Sequence, residues 1–165
     1  MRVPPHSDEA ETSLLGALLL DTEAFTEVAP LVNPEDFYKE SHRRIFASMS
    51  AVADRKEAID VVTVSEQLRN EGGLDGVGGL AYLAGLSSQV PTAANVAYYA
   101  QIVSRKAMLR RTIALCGQVA EECYGDVSDV EEFIGSVESQ FLTLSEGREM
   151  AGIQDLKGVL QETFH

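Results

Sequence analysis

Residues 94–124 read ANVAYYAQIVSRKAMLRRTIALCGQVAEECY, and Gly125-Asp126 follows. The stretch contains no proline, and its only glycine is Gly117. Proline and glycine are the residues that a helix interior tolerates least. The spacing therefore predicts one continuous helix about 45 Å long, at about 1.5 Å of rise per residue. Gly125-Asp126 breaks it, and Ser128 or Asp129 supplies the side-chain oxygen to start a second helix running to about Ser145. Two long helices joined by so short a break form an antiparallel αα-hairpin.

Two apolar stripes run along this hairpin. Tyr99, Ile102, Leu109, Ile113, Cys116, Ala120 and Cys123 recur at steps of three and four, interrupted by Lys106. Val130, Ile134, Val137, Phe141 and Leu144 repeat the pattern on the returning helix. The expectation is that these two seams bury each other. Met108, Leu115 and Val119, with Phe133 and Leu142, make a second stripe. A two-helix hairpin has one inside, so the second stripe either packs on the head or meets another copy or another protein; because the hairpin is long relative to the head, a partner is the favoured reading.

Upstream, residues 1–93 read as a compact helical head. Pro4 and Pro5 stiffen the lead-in, Ser7 is a good N-cap, and Asp8, Glu9 and Glu11 sit where the helix dipole favours acids. Leu14, Leu15, Leu18 and Leu19 give a buried stripe. A second helix from Asp21 or Thr22 points Phe25, Val28, Ala29 and Val32 inward, and Asn33-Pro34-Glu35-Asp36 turns toward Phe37-Tyr38. Ser41 is expected to cap a helix carrying Ile45, Phe46, Met49 and Val52. Thr63, with Glu66 three residues on, reads as the capping box of the next helix. Residues 72–79 form a loop, Leu80 to Leu86 a short helix, and Pro91-Thr92 closes the head. The predicted organisation is all-α: a head over 1–93, a hairpin over 94–146, and a polar joint leading into the start of a linker helix over 147–165. Ile153, Leu156, Leu160 and Phe164 mark one face of that last helix, which is too short to be stable alone and is expected to dock on a neighbour.

Composition narrows the function. Of 165 residues, 45% are apolar and 24% charged, enough for a true core. The net charge of −13 opposes nucleic-acid binding, which rests on lysine and arginine neutralising phosphates. The basic residues Arg43, Arg44, Arg105, Lys106, Arg110 and Arg111 read as solvated faces paired with the abundant acids. Cys116 and Cys123 lie about 10 Å apart along one helix, too far for a disulfide, and are expected to be buried thiols in a reducing cytoplasm. Leu14 to Leu20 is too short to span a bilayer, and acids precede it where a signal peptide carries positive charge. A cytoplasmic protein with no membrane partner is expected.

Motifs that tempt toward catalysis do not hold. Gly76-Val77-Gly78-Gly79-Leu80-Ala81 matches the dinucleotide fingerprint formally, but a loop precedes it where that chemistry needs a strand. Lys39, Lys56, Lys106 and Lys157 are the only lysines and none follows a glycine, so no P-loop is present. Among the three histidines, His42 reads as a surface or capping residue. Glu121, Glu122, Glu131 and Glu132 have no converging histidine and read as a solvated face near the hairpin tip. No catalytic constellation, metal site or cofactor site is expected.

An ordered set of segments resembles the N-terminal part of the bacterial DnaB family of replicative helicases. It comprises Pro4-Pro5-His6-Ser7-Asp8-Glu9-Ala10-Glu11, Leu14-Leu15-Gly16-Ala17-Leu18-Leu19-Leu20-Asp21 and Pro34-Glu35-Asp36-Phe37-Tyr38. It continues through His42-Arg43-Arg44-Ile45-Phe46, Gly78-Gly79-Leu80-Ala81-Tyr82-Leu83, Pro91-Thr92-Ala93-Ala94-Asn95-Val96, Tyr98-Tyr99-Ala100 and Leu109-Arg110-Arg111. The resemblance implies a helical head and hairpin whose copies pair into dimers, and a collar of six domains arranged as a trimer of dimers. It further implies docking of the primase's helicase-binding domain, with a helicase loader as a further partner. Tyr82, Ile113 and Val119 match the family's primase-facing positions; Phe133 and Leu142 join them as partner contacts through the second stripe. Ile153, Leu156, Leu160 and Phe164 match the linker that docks on a neighbouring subunit. ATP, Mg²⁺ and 5′-to-3′ unwinding belong to a motor region that these residues lack, which reads as truncation of a larger parent. The competing readings are an acidic helical adaptor unrelated to helicases and a DNA-binding module reading through the Arg105–Arg111 helix. A small helical enzyme has no residues behind it.

Overall fold

The computed structural model describes residues 2–145. The linker expectation at Ile153, Leu156, Leu160 and Phe164 lies outside the described residues. Within them, every regular element is helical: α1 (Asp8–Leu20), α2 (Ala24–Val28), α3 (Glu40–Asp54), α4 (Val61–Asn70), α5 (Gly79–Ser88), α6 (Val96–Tyr124) and α7 (130–145). Short 3-10 turns at Pro34–Asp36 and Asp75–Val77 link α2 to α3 and α4 to α5. The all-α fold, head and long hairpin agree with the expectation from the sequence.

Helix α1 is the centre of the head. Ser7 caps it by accepting the Ala10 N–H at 3.1 Å, and three acids occupy its first turn. Leu14, Leu15, Ala17 and Leu18 are fully buried, and Leu19 nearly so. So broad an apolar surface suits a helix packed on several sides, and α1 contacts α2, α3 and α5. The closest approach is at Gly16, where an added Cβ would run into the Leu86 carbonyl of α5 and sit 2.8 Å from Val90. Phe37 and Phe46, with ring centroids 5.2 Å apart, join Ile45, Met49, Leu83 and Leu86 in the same core.

Three local expectations need correction. Helix α3 begins at Glu40 after an extended Lys39, and no side chain caps it, so Ser41 is inside the helix. Helix α4 is capped by Asp60, which accepts the Thr63 N–H at 2.8 Å while Thr63 Oγ1 accepts the Asp60 N–H at 3.0 Å. The capping box is therefore three residues earlier than the Thr63–Glu66 reading, because Asp60 is the better acceptor for an incoming helix end. Helix α2 ends at Val28; Val28 and, beyond the helix, Val32 are buried, but Ala29 is exposed.

The packing divides at Ala107/Met108, inside α6, whereas the sequence pattern places the head's limit at residue 93. Val96, Ala100 and Val103 belong to the head's core cluster, and Ala107 is also buried. Proline and glycine punctuation marks where a helix starts, not where its neighbours stop.

In the second unit the covered stripe on α6 is not the one expected, while on α7 Val137 and Leu144 are covered as expected and Leu142 of the second stripe is exposed. On α6 Met108, Thr112, Leu115 and Val119 are half-buried, with Arg110 beside them; on α7 Phe133, Val137, Gln140 and Leu144 are. Steps of three and four place each set on one helix face, and these faces form the hairpin seam. Leu109, Ile113, Cys116, Ala120 and Cys123, expected inside, are exposed, as are Val130, Ile134 and Phe141. Both cysteines are therefore surface thiols, contrary to the buried reading. The two stripes are one residue out of phase, and periodicity alone does not rank them.

Candidate protein-docking surface

A buried polar chain anchors one face of the head. Glu11, in the first turn of α1, is 1% exposed, and His42, on the first turn of α3, is completely buried. Glu11 Oε2 accepts the Tyr38 N–H at 2.8 Å, and Oε1 accepts the Lys39 N–H at 3.4 Å. Oε1 also lies 2.7 Å from His42 Nδ1, and His42 Nε2 lies 2.6 Å from the Tyr82 hydroxyl on α5. A carboxylate buried without such donors would be costly; here it joins α1, the strand-like entry to α3, α3 itself and α5. His42 is thus a core residue, not the surface or capping residue expected. The partners lie 31 and 40 positions away in the chain, so no spacing signal reveals them.

Tyr82 stands at the outer end of this chain, half-buried. Its ring stacks on His42 with an interplanar angle of 14°. Gly78 makes room: it has φ +110°, and an added Cβ would lie 2.8 Å from the Tyr82 Cβ. The glycine pair that mimics a nucleotide fingerprint therefore seats a tyrosine at the start of α5. Partial burial pushes the Tyr82 phenol above its ordinary pKa of 10.0; the nearby Lys39 charge opposes this, while Asp8 and Glu11 reinforce it.

Around it, His6 stacks on Tyr38 with centroids 4.1 Å apart, and Lys39 pairs with Asp8 at 3.5 Å. The arginines of α3 are engaged locally. Arg43 Nε donates to the Phe37 carbonyl at 2.7 Å, and Arg43 and Arg44 both approach Glu40. That matches the reading of paired, solvated charge.

The other candidate contacts lie on the hairpin. Ile113 and Leu142 are each 58% exposed, whereas Val119 and Phe133 are half-buried in the seam. Leu109, Val130, Ile134 and Phe141 extend the exposed apolar surface. At the turn, Glu122, Asp126, Asp129 and Glu132 edge an open notch. Among the described residues no group of three or more His, Cys, Asp or Glu side chains could hold a metal ion, and no helix is long and apolar enough to cross a membrane.

The helical head carries a polar-anchored tyrosine at its surface, and the hairpin helices expose apolar side chains, so the candidate site is a surface for protein contacts and not a catalytic pocket. The chain belongs to the DnaB-like helicase N-terminal domain family, whose pattern matches residues 3–105. It is 37% identical over 163 residues to the replicative DNA helicase DnaC of Bacillus subtilis and to the replicative DNA helicase DnaB of Geobacillus stearothermophilus. Those alignments cover 99% of this chain but 36% of each relative, so the chain spans about a third of their length. The crystal structure of the N-terminal domain of the DnaB helicase from Mycobacterium tuberculosis superposes with a TM-score of 0.80 at 36% identity, covering 86% of this chain and 99% of that one. A DnaB-like replicative helicase described with its primase interactions shares the fold, with a TM-score of 0.70 at 22% identity over 84% of this chain and 31% of that one.

Proposed function

We propose that this chain is the collar of a replicative helicase, assembling with copies of itself and docking a primase in the cytoplasm. The observation that carries the assembly half is the set of large apolar side chains exposed on the hairpin helices, Ile113, Val130, Ile134 and Phe141 among them. Several such residues exposed on a charged chain favour an interaction site. Primase docking is supported by the family membership and by the fold neighbour described with its primase interactions. Tyr82, Ile113, Val119, Phe133 and Leu142 are the contacts proposed, with Val119 and Phe133 acting through the part of each side chain the seam leaves open. Ile153, Leu156, Leu160 and Phe164 are proposed to dock the linker on a neighbouring subunit, and a helicase loader is a further proposed partner. ATP, Mg²⁺ and DNA unwinding are assigned to a motor region outside these residues, since the sequence has no Gly-Lys-Ser/Thr. Direct DNA binding by this chain is weak or nil at a net charge of −13.

Sedimentation velocity and a titration with the helicase-binding domain of the same organism's primase test both halves. Dimers or larger species should form as concentration rises, and Ile113→Asp should return them to monomer. A strict monomer at high micromolar concentration would sink the assembly half. No detectable primase binding would sink the docking half, and binding that is unchanged by both Tyr82→Ala and Ile113→Asp would sink the choice of contacts.

A further inference from the structure

The buried chain behind Tyr82 contains two hydrogen bonds, His42 Nδ1 to Glu11 at 2.7 Å and His42 Nε2 to the Tyr82 hydroxyl at 2.6 Å. Glu11 already accepts two main-chain N–H groups, Tyr38 and Lys39, which can only donate. The carboxylate is therefore the acceptor end, and the bond to His42 takes its proton from Nδ1. A neutral imidazole with its one proton on Nδ1 leaves Nε2 as an acceptor, and the second bond then takes its proton from the tyrosine. In that arrangement the hydroxyl hydrogen points inward, and what remains on Tyr82 Oη is lone-pair density.

We infer that the Glu11–His42 pair fixes Tyr82 as an acceptor-only contact, selective for a cationic donor, a lysine or arginine, on the docked partner. This rests on the reading of Tyr82 as a partner contact. A serine, threonine or free tyrosine hydroxyl rotates to suit either a donor or an acceptor; this one does not. Charge favours the same partner chemistry. Asp8 and Glu11 act on Tyr82 as negative charges, and Lys39, the one cation acting on it among the described residues, is engaged with Asp8 at 3.5 Å. The chain as a whole carries −13, so an incoming basic side chain gains from steering as well as from the contact. Glu11 and His42 act through Tyr82 and are positioning residues.

The first measurement needs no variant in the binding assay. Long-range ¹H–¹⁵N spectra of the full chain with labelled histidine report which ring nitrogen carries the proton, and His42→Gln assigns the signal. The expected result at neutral pH is a neutral His42 protonated on Nδ1. Protonation on Nε2 alone, or on both nitrogens, overturns the proposal. The second measurement titrates the full chain with the primase's helicase-binding domain. Tyr82→Phe keeps the ring and should weaken binding about tenfold or more, the range for a hydrogen bond to a charged group. If Tyr82→Ala weakens binding and Tyr82→Phe does not, the ring alone makes the contact; the acceptor inference falls and the docking reading stands. If Tyr82→Ala also binds normally, the placement of Tyr82 in the docking surface itself falls. The gap between wild type and Tyr82→Phe should narrow between about 50 mM and about 500 mM salt, because screening weakens a contact to a charge. A gap that ignores salt excludes the cationic donor.

Discussion

Glu11 shows how one residue is set by demands from several elements. Its position in the first turns of α1 suits an acid for the helix dipole alone, which is all that local sequence reveals. The fold then buries it and supplies three N–H donors, from Tyr38, Lys39 and His42. Removing the acceptor leaves these donors unpaired, the buried His42 ring among them. Glu11→Ala is expected to cost about 3 kcal/mol or more, at about 1–3 kcal/mol for each buried polar group left without its partner. Glu11→Gln should cost less, since one oxygen still accepts, but its NH₂ must face at least one donor. Thermal unfolding followed by circular dichroism orders the three proteins. Glu11→Ala melting with the wild type would mean the network contributes nothing to stability. His42 could not be read this way from the sequence, because its partners come from distant helices and a histidine after Ser41 looks like any helix-start residue.

Helices α6 and α7 show what periodicity can and cannot decide at the scale of an element. Their existence and near-limits follow from the lack of proline and the Gly125-Asp126 break, and α6 does end at Tyr124. Which face turns inward does not follow, because Met108, Leu115 and Val119 on one stripe neighbour Leu109, Cys116 and Ala120 on the other. The structure half-buries the first stripe and exposes the second. Leu115→Ala should then cost about 1–2 kcal/mol, the low end for a core leucine because the site is only partly covered. Ile113→Ala, on the exposed side, should stay within about 0.5 kcal/mol in a dilute monomeric sample. Denaturant unfolding at low micromolar concentration reads both. A larger loss at Ile113 than at Leu115 would restore the seam first expected from the sequence.

At the scale of the whole molecule, the all-helical class and the head-then-hairpin order are legible in composition and punctuation, since both depend on local propensity. The limit of the head is not, since it depends on which turns of a continuous helix other helices cover. Val96, Ala100, Val103 and Ala107 recur at steps of four and three on α6 and are buried, so the first turns of the hairpin helix form a wall of the head. A fragment ending at residue 93 removes that wall; one ending at residue 112 keeps it. The two valines alone account for about 3–6 kcal/mol of burial, at about 1.5–3 kcal/mol each. That is comparable to the whole stability of a small domain, about 5–15 kcal/mol. The shorter fragment should therefore be unfolded or melt broadly, whereas the longer one should show a cooperative transition by circular dichroism and a dispersed amide spectrum. Equal, cooperative melting of the two fragments would place the head's limit before α6 and make the burial of its first turns incidental to the fold.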